Sequence, residues 1–287
     1  MRTGLVATAV LTAVTAVTVG AVAGCGDGPR PGLVVEGTPP ATPYRGPLDV
    51  PTEELDESTP RALRLASGAA GRALECDGEI FQGSGPDGWS RSDGGDTPEE
   101  GLALYFDMVQ PEEPDHGYRV EREEADRVLY SYDVDGRTKV AVVVAKDQKD
   151  RPGWGPETSA SCDPAELPES FTSTTDWQIW TDRAGRRVPV ARLHGSSGPE
   201  HCGWQSAEFL ALDGRTYARD PEGVLGRDEL LRAPYRAGVR MPADARDTGY
   251  RFRDRRLWLT ADRATAYVRT DHGVEAWPLV KEGVGCD

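Results

Sequence analysis

The chain has 287 residues, of which 33 are Lys or Arg and 48 are Asp or Glu, and its formal net charge is −15. So acidic a surface repels nucleic acid and anionic polymers, and no basic patch of the kind that grips DNA or RNA is written anywhere. Hydrophobic residues make up 38% of the chain, enough to build a core once the ends are set aside.

Met1-Arg2 carries the only charge before Asp27, and Leu5 to Ala23 is Ala, Val, Leu and Thr with one Gly. A charged start followed by an apolar run is the layout of a secretory signal. It ends in Val22-Ala23-Gly24-Cys25, small residues at a peptidase site followed by a thiol. This peptide resembles the bacterial lipobox, with Val22 where Leu is usual. The resemblance implies a signal peptide over residues 1–24 and a lipidated, palmitate-bearing Cys25. Cleavage there removes only Arg2 and leaves the mature chain one unit more negative. The run is also about long enough to span a bilayer, but its Ala and Thr content makes a weak spanning helix.

Residues 25–58 include Pro29, Pro31, Pro39, Pro40, Pro43, Pro47 and Pro51. Such a segment predicts a disordered, semi-extended tether. The body then divides into two predicted domains, 59–165 and 175–287, joined by Asp163 to Thr175, which is loop chemistry.

Thr97, Pro98 and Glu100 write a capping box, and Leu102, Tyr105, Phe106 and Val109 follow on one helical face until Pro111. A second helix is predicted from Thr59 or Pro60 to Leu74, weakened by Gly68 and Gly71. Val128 to Val134 alternates as a strand, and Asp135-Gly136 turns it into Lys139 to Val144. Asp213-Gly214 does the same between Phe209–Leu212 and Thr216-Tyr217. Strand runs recur at Leu257–Thr260 and Ala266–Thr270.

Five cysteines are present: Cys25, Cys76, Cys162, Cys202 and Cys286. If Cys25 carries lipid, the other four can pair in three ways. The intervals Cys76–Cys162 and Cys202–Cys286 are 86 and 84 residues. Each holds a Gly-Tyr-Arg (117–119 and 249–251) and a late tryptophan (Trp154 and Trp277). The spacing favours pairing within each interval. The expected fold is α+β, rich in antiparallel strand, as two small similar subdomains with one disulfide each, from an internal duplication.

Chemistry is sparse. Asp133-Val-Asp135-Gly136 opens like a calcium loop, but Arg137 and Val144 occupy ligand positions, so it reads as a hairpin. His194 to Cys202 holds two histidines, a Glu and a Cys at a spacing wider than short zinc motifs use, and predicts no metal. No nucleophile elbow is present. The carboxylates Asp93, Asp96, Glu99, Glu100, Glu112, Glu113 and Asp115 read as a solvated face rather than a catalytic pair. Trp177, Trp180, Trp204, Trp258 and Trp277 are more readily core than a sugar platform. No cofactor motif appears and no catalytic residue is assigned.

The chain has no Asn, two Ile and four Lys, a bias of GC-rich genomes. With Val22 to Cys25, the Pro-rich stretch, and the block from Cys202-Gly203-Trp204 through Trp277-Pro278 to Cys286, it resembles actinobacterial surface lipoproteins. That resemblance implies a location on the extracytoplasmic face of the cell membrane and implies no activity. The expectation is a non-enzymatic module that binds an envelope protein or glycan. The alternatives are an envelope enzyme with dispersed catalytic residues, or an accessory subunit of an exporter or receptor.

Overall fold

The computed structural model describes residues 32–36, 39–86, 89–226 and 230–283. The expected signal peptide over residues 1–24, Cys25 and Cys286 lie outside these. No helix among the described residues is long and apolar enough to cross a membrane.

The first helical stretch is two short helices, α1 (Pro60–Ala66) and α2 (Gly68–Ala73), capped by Thr59. Gly68 takes φ +49° at the break, a left-handed conformation that glycine adopts without penalty. After β1 (Ile80–Ser84), α3 (Pro98–Met108) carries the predicted capping box and buries Leu102, Tyr105 and Phe106. Then come β2 (Arg119–Glu123), β3 (Arg127–Val134), β4 (Arg137–Gln148) and β5 (Arg151–Cys162). These form one antiparallel sheet in the order β1-β5-β4-β3-β2. Side chains alternate across a strand, so β4 buries Val140, Val142 and Val144 under α3 and Ala141 and Val143 under α2.

The later strands are β6 (Gln178–Ile179), β7 (Leu193–Ser197), β8 (Glu208–Leu212) and β9 (Arg215–Arg219), then β10 (Arg246–Phe252), β11 (Arg255–Leu259), β12 (Thr265–Thr270) and β13 (Gly273–Pro278). They make two four-stranded sheets, β6 to β9 and β10 to β13, each in chain order. The two sheets share a core of Trp180, Leu193, Leu210, Tyr217, Leu257, Val268 and Trp277. Both predicted Asp-Gly turns form, with Asp135 at φ 52° and Gly136 at 73°, and Asp213 at 48° and Gly214 at 75°. Positive φ at both central residues matches the right-handed twist of the hairpins.

Three expectations are corrected. The fold is β-rich, not α+β: helices are short and cover sheet faces, while antiparallel strands carry the architecture. The two halves are not similar subdomains either, because one five-stranded sheet stands against two four-stranded ones. Gly117 and Gly249 both take positive φ where a strand is entered or bent, at 85° and 90°, so the shared Gly-Tyr-Arg marks a local device rather than a copied unit. The third correction concerns the tether. Leu33 and Leu48 are each 1% exposed, the Val35 amide donates to the Tyr118 carbonyl at 2.7 Å, and Tyr44 packs beside α2. Between the prolines, these few apolar side chains suffice to dock the segment, and proline brings no N–H that needs a partner.

Cys76 and Cys162 are bonded in a disulfide. Cys202 is also disulfide-bonded. Beside the first bridge the buried Lys139 ammonium reaches the Glu75 carbonyl at 3.0 Å, Asp77 at 3.2 Å and Glu166 at 2.6 Å. A buried charge is tolerable when it is paired in this way.

The stretch from Asp163 to Thr175 is ordered: a 3-10 turn (Pro164–Glu166), then α4 (Glu169–Thr172) with Phe171 buried. The Asp163 carboxylate accepts from the amides of Ala165 (2.8 Å), Val190 (2.8 Å) and Ala191 (3.1 Å). That one side chain ties the end of β5 to the strand region that follows.

Candidate functional site

The ordered junction leaves a cleft between itself, α3 and the edge of the first sheet. Ser159 and Ser161 lie two apart on β5 and share its α3-facing side. Their cross-strand partners on β1 are Ser84 and Gln82. Ser84 and Ser159 hydroxyls bond at 2.8 Å, and Ser161 donates to the Gln82 side-chain oxygen at 3.3 Å. These polar pairs line a cavity of about 340 Å³ with Phe81, Tyr105 and Gln110. A second cavity of about 230 Å³ shares Gln82, Gln110 and Ser161 with the first and continues to Glu113, Phe171, Trp177 and Ser196. The two cavities adjoin through the three shared residues, and their walls mix hydroxyls and amides with apolar side chains.

Trp177 stands at its far end. Its ring meets Phe81 edge-on at 5.8 Å on one side and His194 at 4.8 Å on the other. His194 is held by the Val190 carbonyl through Nδ1 at 2.7 Å. Beyond Trp177 the groove opens into a wider cavity of about 670 Å³. Four arginines stand in that wall: Arg251 is held by Asp247, Arg255 by Glu208, Arg187 by the Leu167 carbonyl and the Thr172 hydroxyl, and Arg253 is exposed over the Phe252 ring. Burial lowers the Arg187 pKa, and the charges of Glu169 and Asp163 oppose it only in part. The carboxylates Glu169, Asp176 and Asp254 line the same wall.

Glu113 is the unusual group. The Tyr105 and Tyr118 hydroxyls both donate to its Oε2, at 3.1 and 3.2 Å. Burial nevertheless dominates and pushes its carboxyl up to about 7, the two phenols only partly opposing the rise. Burial and the neighbouring Glu113 charge push both tyrosines well above their ordinary range, so they remain donors.

Of the tryptophans, Trp180 and Trp277 are core and Trp177 alone lines this cleft. The acidic stretch does not behave as one solvated face. Glu100 closes the capping box, Glu112 is exposed, and Glu113 is drawn inside by two tyrosines eight residues before it and five after. The Asp133–Asp135 peptide is a hairpin, with Asp133 paired to Arg119 at 2.7 Å. Among the described residues, one group of possible metal ligands converges: Cys76, Cys162 and Glu166. Its sulfurs are joined to each other and its carboxylate to Lys139, so it is a structural corner.

No protein-family model matches the chain, and no curated protein or solved structure does.

Proposed function

We propose that this is a lipid-anchored extracytoplasmic protein that binds a neutral, hydroxyl-rich ligand of the glycan class in the cleft beside Trp177. One observation carries the reading: two adjoining cavities that share Gln82, Gln110 and Ser161 bring Ser84 and Ser159 in the first near a half-buried indole in the second. Hydroxyls and amides both donate and accept, which suits a ligand with many hydroxyls. An aromatic face supplies apolar contact for the C–H side of a sugar ring, and a few placed polar groups in a concave site fix orientation. Glu112, Glu113 and Asp176 line the cavity beside Trp177, which favours a neutral ligand over an acidic one.

Binding of short N-acetylglucosamine and glucose oligomers, followed by tryptophan fluorescence and calorimetry, tests this. Trp177→Ala should weaken the affinity about tenfold or more, the loss of about 1.4 kcal/mol that marks a binding anchor. Unchanged affinity in that variant removes the cleft from the reading.

The anchor rests on the N-terminal residues. Cys25→Ser should leave the precursor unprocessed or release the protein into the medium. A variant that is still processed and still partitions into detergent ends the lipid proposal.

A second reading, an envelope hydrolase, draws on Glu113 sharing a cavity with Asp176 and Glu112. A pair of carboxyl groups in a cleft is the usual acid and base of glycoside cleavage. Release of reducing ends from the same oligomers, abolished in Glu113→Gln, would favour it.

A further inference from the structure

We propose that Glu113 is a ligand-contacting residue of the cleft that presents a proton, so that binding is switched by pH and selects an uncharged acceptor oxygen on the ligand. This rests on the glycan reading and adds the atom that recognises it.

A neutral carboxyl has one carbonyl-type oxygen, with two lone pairs, and one hydroxyl. Both tyrosine hydroxyls donate to the same oxygen, Oε2, and so use both of its lone pairs. The proton of the neutral acid must then sit on Oε1. Among the described residues Oε1 makes no hydrogen bond, and the residue lines the cleft. Oε1–H is the one donor of this carboxyl that the protein leaves unspent. Once ionised, the same oxygen only accepts, and it repels rather than holds an acceptor.

Other charged groups face Glu113 from each neighbouring element. Tyr105 and Asp107 lie on α3, Glu112, Asp115 and His116 on the loop that follows, Tyr118 before β2, and Asp176 across the cleft. Asp115 and His116 pair with each other at 3.7 Å and are well exposed. Burial, not one of these charges, is the main cause that raises the Glu113 carboxyl to about 7. His116 lines the same outer cavity as Glu113, so it needs its own control.

Affinity for a short N-acetylglucosamine or glucose oligomer that binds the wild type should fall about tenfold between pH 6 and pH 8, tracking the protonated fraction. Glu113→Gln keeps a donor that does not titrate, and should bind with a flat profile near the wild-type affinity at pH 6. Glu113→Ala should bind weakly at both values. His116→Gln should keep the wild-type slope. A flat wild-type profile, or a slope that survives in Glu113→Gln, overturns the proton-donor assignment and leaves glycan binding standing. Failure of every oligomer to bind at either pH overturns both.

Discussion

Replacing Cys76 and Cys162 together by serine should cost the protein about 4–5 kcal/mol, the loop-entropy value for a bridge that closes an interval of 86 residues. That is a large share of a typical net stability of about 5–15 kcal/mol. For a body of this size it lowers the melting temperature by about 10–15 °C. The bridge ties the chain after α2 to the last residue of β5, beside the pairing of Ile80 with Cys162. Loss of the bridge should loosen the β1–β5 edge first, and with it the Ser84–Ser159 pair of the cleft. Thermal unfolding with and without reductant measures the cost, and hydrogen exchange locates it. A change below about 1 kcal/mol would show that the unfolded chain gains little freedom when the bridge is cut. A non-reduced digest of the same samples should place Cys202 with Cys286. A Cys202 peptide linked to one with Cys25 would remove the thiol that the lipid needs.

Glu113→Gln should make the protein more stable at pH 8 and change little at pH 4. Its carboxyl is raised from 4.5 in the unfolded chain to about 7 in the fold. The native state therefore holds a proton that the unfolded state has released between those values. Stability that is present below 4.5 is lost as pH climbs towards 7 and levels off above it. The gap corresponds to about 3 kcal/mol. Other carboxylates run the opposite way. Arg137 beside Asp77, Arg263 beside Asp213 and Arg251 beside Asp247 hold those groups below the usual range, so they favour the fold at higher pH. The wild-type profile is a composite, and the difference between wild type and Glu113→Gln isolates one carboxyl. If that difference is constant from pH 4 to pH 8, Glu113 titrates at its ordinary value and is not enclosed.

Features written in a few adjacent residues were legible in the sequence. Thr97 and Glu100 cap α3, and Asp135-Gly136 and Asp213-Gly214 each turn a hairpin, because the chemistry is local. The strand β5 was not legible. Pro152, Gly153 and Pro156 argue against a strand, yet β1 pairs only with Ser159–Cys162, so both prolines fall outside the doubly paired part. Proline is tolerated there, next to bulges in the β4–β5 ladder. Missing β5 made the first half look more helical than it is. The cleft was hidden for a related reason. Ser159 and Ser161 read as ordinary polar residues until β1 brings Ser84 and Gln82 opposite them. Glu113 looked solvated until Tyr105 and Tyr118 close over it from α3 and the start of β2. Trp177 was named among five tryptophans, and nothing in the sequence separates it from Trp180, which is fully buried.

The docking of the chain near Leu33 and Val35 fixes a length. A spacer running free from residue 25 to 58 could extend to roughly 110–120 Å at about 3.3–3.6 Å per residue. With the segment fastened from Gly32 onward, only the stretch between Cys25 and Gly32 is left, which reaches at most about 25 Å. If Cys25 carries the lipid, the body rides close over the bilayer like a buoy on a short mooring. Polymers whose ends never approach the membrane then lie beyond its grasp.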